Sequence, residues 1–396
     1  MYNTVIIGAG PIGSYLAARL ARLDHKVLVL DKKAAAGQDI CCTGIVGREC
    51  LKLLAIDNSL IVRQANSARF FVPSGKSLRL WRDDAVAYIL DRPALDRALA
   101  SQAQAAGANY LFSAQVTDIQ IGADCLRVKA DCCGQNRLFE AETAVIATGF
   151  GSSLPGKLHL GKISNFIVGA QADVSIDGVD EVEVYFDQTL APGGFAWLVP
   201  TKDSKGLAGL MTRQQPEYYL NKLLSNLKAQ AKIASAEVVQ GYGVIPLQPL
   251  PRTYTDRILA VGEAAGQVKP TTGGGIYYGL LCADIAADSL HQAFLANDFS
   301  APKLASYQKQ WRAKLGKELR TGYWAHQLYE RLNNRQIERL HTFASDNGIP
   351  QFITELEELS FDWHGHLILK TLKHLAVSIP TQAIKALSKN NATMGD

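Results

Sequence analysis

The chain has 396 residues, 47% of them hydrophobic and 20% charged, enough apolar material for a large core spread over two or three domains. Its net charge of +4 is too small to imply a nucleic-acid partner, and residues 301–396 account for it with 13 Lys and Arg against 9 Asp and Glu. Seven cysteines, an odd number without C-x-x-C spacing, point to reduced thiols rather than a disulfide framework, a zinc site or an iron–sulfur cluster. No secretion-type leader and no bilayer-length apolar run is seen, so the expected location is cytoplasmic.

Residues 4–7 form a β-branched apolar run of the kind buried in a parallel sheet. Gly8-Ala9-Gly10-Pro11-Ile12-Gly13 follows at once, then a helical pattern over 14–23, a second strand at 27–30, and Asp31. Strand, G-x-G-x-x-G, helix, strand and acid, in that order, make a dinucleotide fingerprint. Gly8 forms the turn, Gly10 admits a pyrophosphate, Gly13 lets helix and strand approach, and Asp31 is suited to ribose hydroxyls.

The loop after Asp31 runs through Cys41, Cys42, Thr43 and Gly44, and either passes close to a cofactor or buries two small thiols. Residues 69–72 and 78–81 read as a hairpin of a separate sheet. Asp91 and Pro93 start a helix, with Arg92 free to contact cofactor or phosphate, or to pair with Asp96 on the surface. Strands are expected at 115–121, 125–130 and 137–140, with a distinct buried strand at 143–149 returning to the nucleotide sheet.

Residues 165–243 alternate as a mostly antiparallel sheet, in which Phe195, Trp197 and Val199 share one face as an apolar wall or as ordinary core. A second glycine loop then follows a short buried strand at 258–261. It comprises Gly262, Glu263, a turn closed by Pro270, and Gly273-Gly274-Gly275 opening a helix over 276–295. Unpaired backbone N–H groups and the helix dipole favour an electron-rich ring there. An early adenosine-type loop combined with this late one favours FAD over NAD(P). Residues 301–389 are helical in pattern, interrupted near Asn333, at Gly348–Pro350 and at Pro380. Within them, 364–389 couples Lys370, Lys373, Lys385 and Lys389 to an apolar stripe, the pattern of an interfacial membrane helix or of a solvated helix face.

Together these residues resemble the geranylgeranyl reductase family of flavoproteins, in particular its archaeal-type isoprenoid lipid reductases. The likeness covers most of residues 1–300. It rests on Gly8 to Gly13, on Cys42-Thr43-Gly44-Ile45-Val46, on Pro192 to Pro200, and on Gly262-Glu263-Ala264-Ala265-Gly266 through Pro270 to Gly275. The implied fold is α/β, a two-part FAD-binding Rossmann-like domain of the p-hydroxybenzoate hydroxylase kind (1–65, 82–160, 245–300). An antiparallel substrate domain (66–81, 161–244) and a C-terminal helical region (301–396) complete it. The implied activity is saturation of C=C bonds in isoprenoid chains by hydride from N5 of reduced FAD, with NAD(P)H or a ferredoxin-like protein as electron donor.

The loops and the resemblance give an expected cofactor set of Gly8, Gly10, Pro11, Ile12, Gly13, Asp31, Lys32, Cys42, Thr43, Gly44, Arg92, Val116, Thr148, Gly149, Gly262, Glu263, Pro270, Gly273, Gly274, Gly275 and Ile276. Phe195, Trp197, Val199, Gly193 and Gly194 are the expected substrate contacts, and Cys42 or Tyr277 the proton source. The chain departs from the family pattern in carrying Glu263 for Asp, Phe195 for Tyr, Val199 for Phe, and Thr148-Gly149 for Asp-Gly. The rival readings are a flavin-dependent hydroxylase or halogenase of the same fold, and a prenyl carrier without flavin. The lysine and Trp motif of halogenases are not found, and the intact glycine loops speak against the carrier.

Overall fold

Tyr2–Ile7 pairs in parallel with Val27–Leu30 on one side and Gln135–Ile146 on the other, and its alternate residues feed two different cores. This strand is the centre of an eight-stranded sheet in a computed structural model that describes residues 1–357 and 359–375. Ile6, Val27 and Val29 point to the face covered by helices Pro11–Ala21, Arg92–Ala105, Ile276–Ala296 and Ala301–Glu330. Val5, Ile7, Leu28 and Leu30 point to the face covered by the strands Ala114–Ile121 and Leu126–Cys132. Burial on both faces is why these strands read as unbroken apolar runs. The strand expected at 137–140 and the one at 143–149 are a single strand, Gln135–Ile146: its first half pairs antiparallel with Leu126–Cys132 and its second half parallel with Tyr2–Ile7.

A seven-stranded sheet runs in the order Ile233–Pro246, Phe166–Ile176, Lys205–Thr212, Ala196–Pro200, Val182–Tyr185, Ser67–Phe71, Ser77–Trp81. It is antiparallel except between Val182–Tyr185 and Ser67–Phe71. Ala196, Leu198, Ala208 and Leu210 are fully buried in one core with Leu220, Leu223 and Leu227 of helix Pro216–Ala229. Strand alternation turns Trp197 and Leu207 to the opposite face, where they pack with Ile45, Val62 and Ile89. A three-stranded sheet of Ile45–Gly47, Ala87–Leu90 and Ile61–Ala65, not foreseen from the sequence, joins the two units, with Ile89 in one core with Val182 and Val199.

The C-terminal region is helical over Ala301–Glu330, Asn334–Asp346, Ile349–Glu355 and 364–375. Asn333 makes a capping box with Gln336, the local reason for the break there. Residues 359–363 are not helical, contrary to expectation, because their polar groups bond to the body of the protein instead. The helix described over 364–375 is the first part of the basic 364–389 segment; the remainder, with Pro380, Lys385 and Lys389, lies outside the described residues. Among the described residues no helix is long and apolar enough to cross a membrane.

Candidate active site

The two glycine loops meet through one side chain. Ile12, second residue of the first helix, fills the space over Gly262 and Gly279, where a Cβ would come within 3.3 and 2.6 Å of it. Gly8 (φ 115°) passes Ala147 so closely that a Cβ would stand 2.3 Å from its carbonyl oxygen, and a Cβ on Gly13 would stand 1.9 Å from the carbonyl of Gly8. Gly10 is different: nothing lies within 4 Å of its Cβ position, so its backbone borders open space. Asp31 is held at the strand end by the N–H groups of Ala9 (2.6 Å) and Lys33 (2.8 Å), while Lys32 is exposed. Val116 packs against the core under the first sheet.

In the second loop, Glu263 is exposed although Gly262, Ala264 and Ala265 around it are buried. A residue so placed lines a deep cleft rather than the outer surface. Its carboxylate lies near the Phe150 N–H, 3.2 Å from the Cβ position of Gly275 and 3.6 Å from that of Gly149. Burial raises its pKa, and Arg92 opposes the rise. Gly273 (φ 75°) donates to the carbonyl of Lys269 at 2.9 Å, and Lys269 donates back to that of Gly274 at 3.1 Å. Ile276 begins the helix directly after. Pro270 is buried against Gly322 of the long C-terminal helix, and the Thr148 hydroxyl donates to the Gly149 carbonyl. A cavity of about 530 Å³ opens from Gly149 and Ala264 toward Lys157 and Lys162.

The cysteine loop crosses from the first unit to the second. Cys41 donates to the Gly241 carbonyl at 3.2 Å, and Thr43 to Gln171 Oε1 at 2.7 Å. Burial, with Cys42 and Glu263 nearby, pushes the Cys41 thiol up to about 11. Cys42 accepts the Gly44 N–H at 3.4 Å and has the Arg92 guanidinium nearby. A Cβ on Gly44 (φ 71°) would stand 2.9 Å from the Arg92 chain, so glycine is required where the loop turns over it. Arg92 pairs with Asp96 at 3.1 Å, but the pair is buried, with the side chains 9% and 6% exposed, so the surface pair admitted by the sequence is not what forms. Arg92 Nε is buried with no hydrogen-bond partner among the described residues.

Tyr277 donates to Glu49 at 2.7 Å, and Trp363 donates to the same carboxylate oxygen. The one phenolic proton is therefore committed to Glu49, and burial with that carboxylate raises the Tyr277 pKa well above its ordinary value.

Phe195 and Trp197 lie 5.8 Å apart, half-buried, in a row of side chains with Ile167, Met211, Ile245 and Leu247. The Trp197 ring rests on Gly209, whose Cβ position is 2.5 Å from the ring, and its Nε1 has no partner among the described residues. Gly209 pairs with Gln171, and Gln171 with Gly241, so the row beside Trp197 is two glycines and the amide that holds Thr43. Val199 is almost fully buried with Ile89 and Val182, in core between two sheets. Gly193 (φ 77°) and Gly194 form the turn before the wall; a Cβ on Gly194 would stand 2.1 Å from the Met211 carbonyl oxygen, which gives that glycine a packing role.

These features fit a dinucleotide whose far end carries a flat ring. Gly10 leaves room for a pyrophosphate, Arg92 offers an unused buried donor, and Gly275, last of the three glycines, faces Glu263. Residues 2–178 match the family model described as pyridine nucleotide-disulphide oxidoreductase. The digeranylgeranylglycerophospholipid reductase of Methanocaldococcus jannaschii is 26% identical over 86% of this chain and 90% of its own length. That of Methanothrix thermoacetophila is 28% identical over 87% and 92%. A solved geranylgeranyl bacteriochlorophyll reductase-like protein from Thermoplasma acidophilum superposes with a TM-score of 0.84 over 98% of both chains at 21% identity. The chain is similar to the geranylgeranyl reductase-like flavoproteins in sequence and fold. The halogenase PltM, solved with FAD, shares the fold more distantly, with a TM-score of 0.68 and 13% identity over 90% of this chain and 86% of its own.

For this reductase-like flavoprotein, sequence reasoning missed Gln171, Gly209, Glu49, Lys269 and Asp362. Gly209 lies within a strand pattern, where an isolated glycine signals close backbone or side-chain approach. The others carry no local signal, because each acts through a partner distant in the chain.

Proposed function

We propose that this protein saturates C=C bonds in the isoprenoid chains of a lipid or prenyl compound. The observation that carries the reading is the apolar wall of Phe195 and Trp197 beside a glycine-lined row, on the sheet face to which the Cys42–Thr43 loop is hydrogen-bonded. An unactivated alkene has no carbonyl to polarise, so a dry, shaped slot beside the redox group matters more than side-chain acids. Residues 1–65, 82–160 and 245–300 would form the half that holds FAD. Gly8, Gly10, Gly13 and Asp31 would take the adenosine and pyrophosphate end, and Arg92, Thr43, Glu263 and Gly273–Gly275 the ring end. FAD, bound and reduced, supplies the hydride. Trp197 and Phe195 orient the chain and exclude water. Cys42, beside the Arg92 guanidinium, is the better placed of the two expected proton sources, since the Tyr277 proton is held by Glu49.

The electron donor in this reading is NAD(P)H or a ferredoxin-like protein, and the lipid is met at a membrane surface from the cytoplasmic side. The test is anaerobic incubation of dithionite-reduced protein with a digeranylgeranylglycerophospholipid, a prenyl diphosphate and a prenyl quinone, read by mass spectrometry. A gain of two mass units per double bond is the expected result. A product that appears only with oxygen would identify a hydroxylase or halogenase instead.

A further inference from the structure

Residues 359–363 leave the helical pattern of the C-terminal region and, with His364, reach between the two loops that bound the candidate flavin site. Asp362 is fully buried. It accepts the N–H groups of Gly47 and Cys50, each at 3.2 Å, just downstream of the Cys42 loop. It also pairs with Lys269 at 3.3 Å, and the Lys269 ammonium donates to the Phe361 carbonyl at 3.0 Å. Lys269 is the residue whose backbone bonds to Gly273 and Gly274. His364 shares a 2.7 Å hydrogen bond with Thr271, while Ser360 and Trp363 donate to the Glu49 carboxylate that receives Tyr277. Lys269, Thr271 and Tyr277 bracket the three glycines. All three are thus tied, directly or through Glu49, to one short segment remote in sequence.

A buried ion pair contributes little net stability over an apolar pair of equal volume, and its best-attested use is to fix one arrangement. Gly47 is built for the contact, since a Cβ there would stand 2.2 Å from the Asp362 carboxylate. We propose that Asp362 is a positioning residue that sets the Gly273–Gly275 loop against the Cys42 loop, and through Lys269 governs how the site holds the flavin ring. The inference rests on the FAD reading above.

The test is titration of flavin-free protein with FAD, followed by fluorescence, together with the absorption spectrum of the bound flavin at saturation. Asp362→Asn, Gly47→Ala, and the double variant Lys269→Met with Asp362→Leu are compared with wild type after circular dichroism has shown each to be folded. Each is expected to raise the Kd about tenfold and to shift the flavin absorption bands. The double variant removes the charges without leaving one unpaired, and Gly47→Ala leaves both charges in the chain. Should Asp362→Asn fail to fold, those two decide the matter. An unchanged Kd, or an unchanged spectrum at saturation, in the folded variants overturns the inference. Failure of wild type to bind FAD overturns the flavin reading instead.

Discussion

Arg92 lies beside Cys42 while its Nη2 stands 3.1 Å from Asp96, and both members of the ion pair are buried. The guanidinium thus stands between a thiol of the cysteine loop and a carboxylate on its own helix. Replacing it with methionine leaves Asp96 as a lone carboxylate in a desolvated site. Urea unfolding of Arg92→Met is expected to show a loss of about 3–5 kcal/mol. The double variant with Asp96→Leu should recover most of that loss, because it removes the stranded charge.

Cys42 bears on turnover rather than on the fold. Cys42→Ala is expected to retain FAD and to reduce isoprenoid chains about a hundredfold more slowly, the scale of a lost proton-transfer group. Wild-type turnover with bound flavin would remove Cys42 from the reaction.

His326 supplies a pH dependence. It is 4% exposed, its Nε2 has no partner among the described residues, and burial lowers its pKa from 6.5 to about 4 despite the pull of Glu330. The unfolded chain therefore binds the proton more tightly than the folded one. The stability this group lends is fully present above pH 6.5 and is lost as pH falls toward about 4. His326→Phe should remove roughly 3 kcal/mol of that acid sensitivity, measured as the difference between urea unfolding at the two ends of the window. An unchanged slope would mean that the ring is protonated in the folded protein.

Gly209 tests the wall. A Cβ at Gly209 would stand 2.5 Å from the Trp197 ring, so Gly209→Ala must push the ring into the slot beside the cysteine loop. Turnover of a long isoprenoid chain is expected to fall about tenfold with FAD affinity unchanged. Adding Trp197→Phe, which makes room for the methyl, should restore much of it. A fall in FAD affinity would instead show that this face of the sheet touches the cofactor.

Much of the fold was legible because its signals are local. The fingerprint from Gly8 to Gly13 is a strained turn between a strand and a helix, and the positive φ of Gly8 and the tight approach at Gly13 are written into those residues themselves. The alternation that turns Trp197 away from Ala196 and Leu198 follows from strand period alone. The three-stranded joining sheet escaped notice because Ile61–Ala65 and Ile45–Gly47 are short, with no clear period. For Val199 the sequence left wall and ordinary core open, and what covers it, Ile89, comes from another sheet.

The sequence by itself determined where the backbone must turn and which residues alternate into a core, because φ, ψ and side-chain period depend on a few neighbouring residues. The tertiary structure alone decided which charges are buried and with whom. Arg92 and Asp96 are four residues apart on one helix, and it is the surrounding fold, with the Gly44 turn packed against Arg92, that makes their pair an interior one. Asp362 meets Lys269 from 93 residues away and Gly47 from 315. Desolvation and ion pairing are properties of the packed surroundings, and no window of sequence contains them.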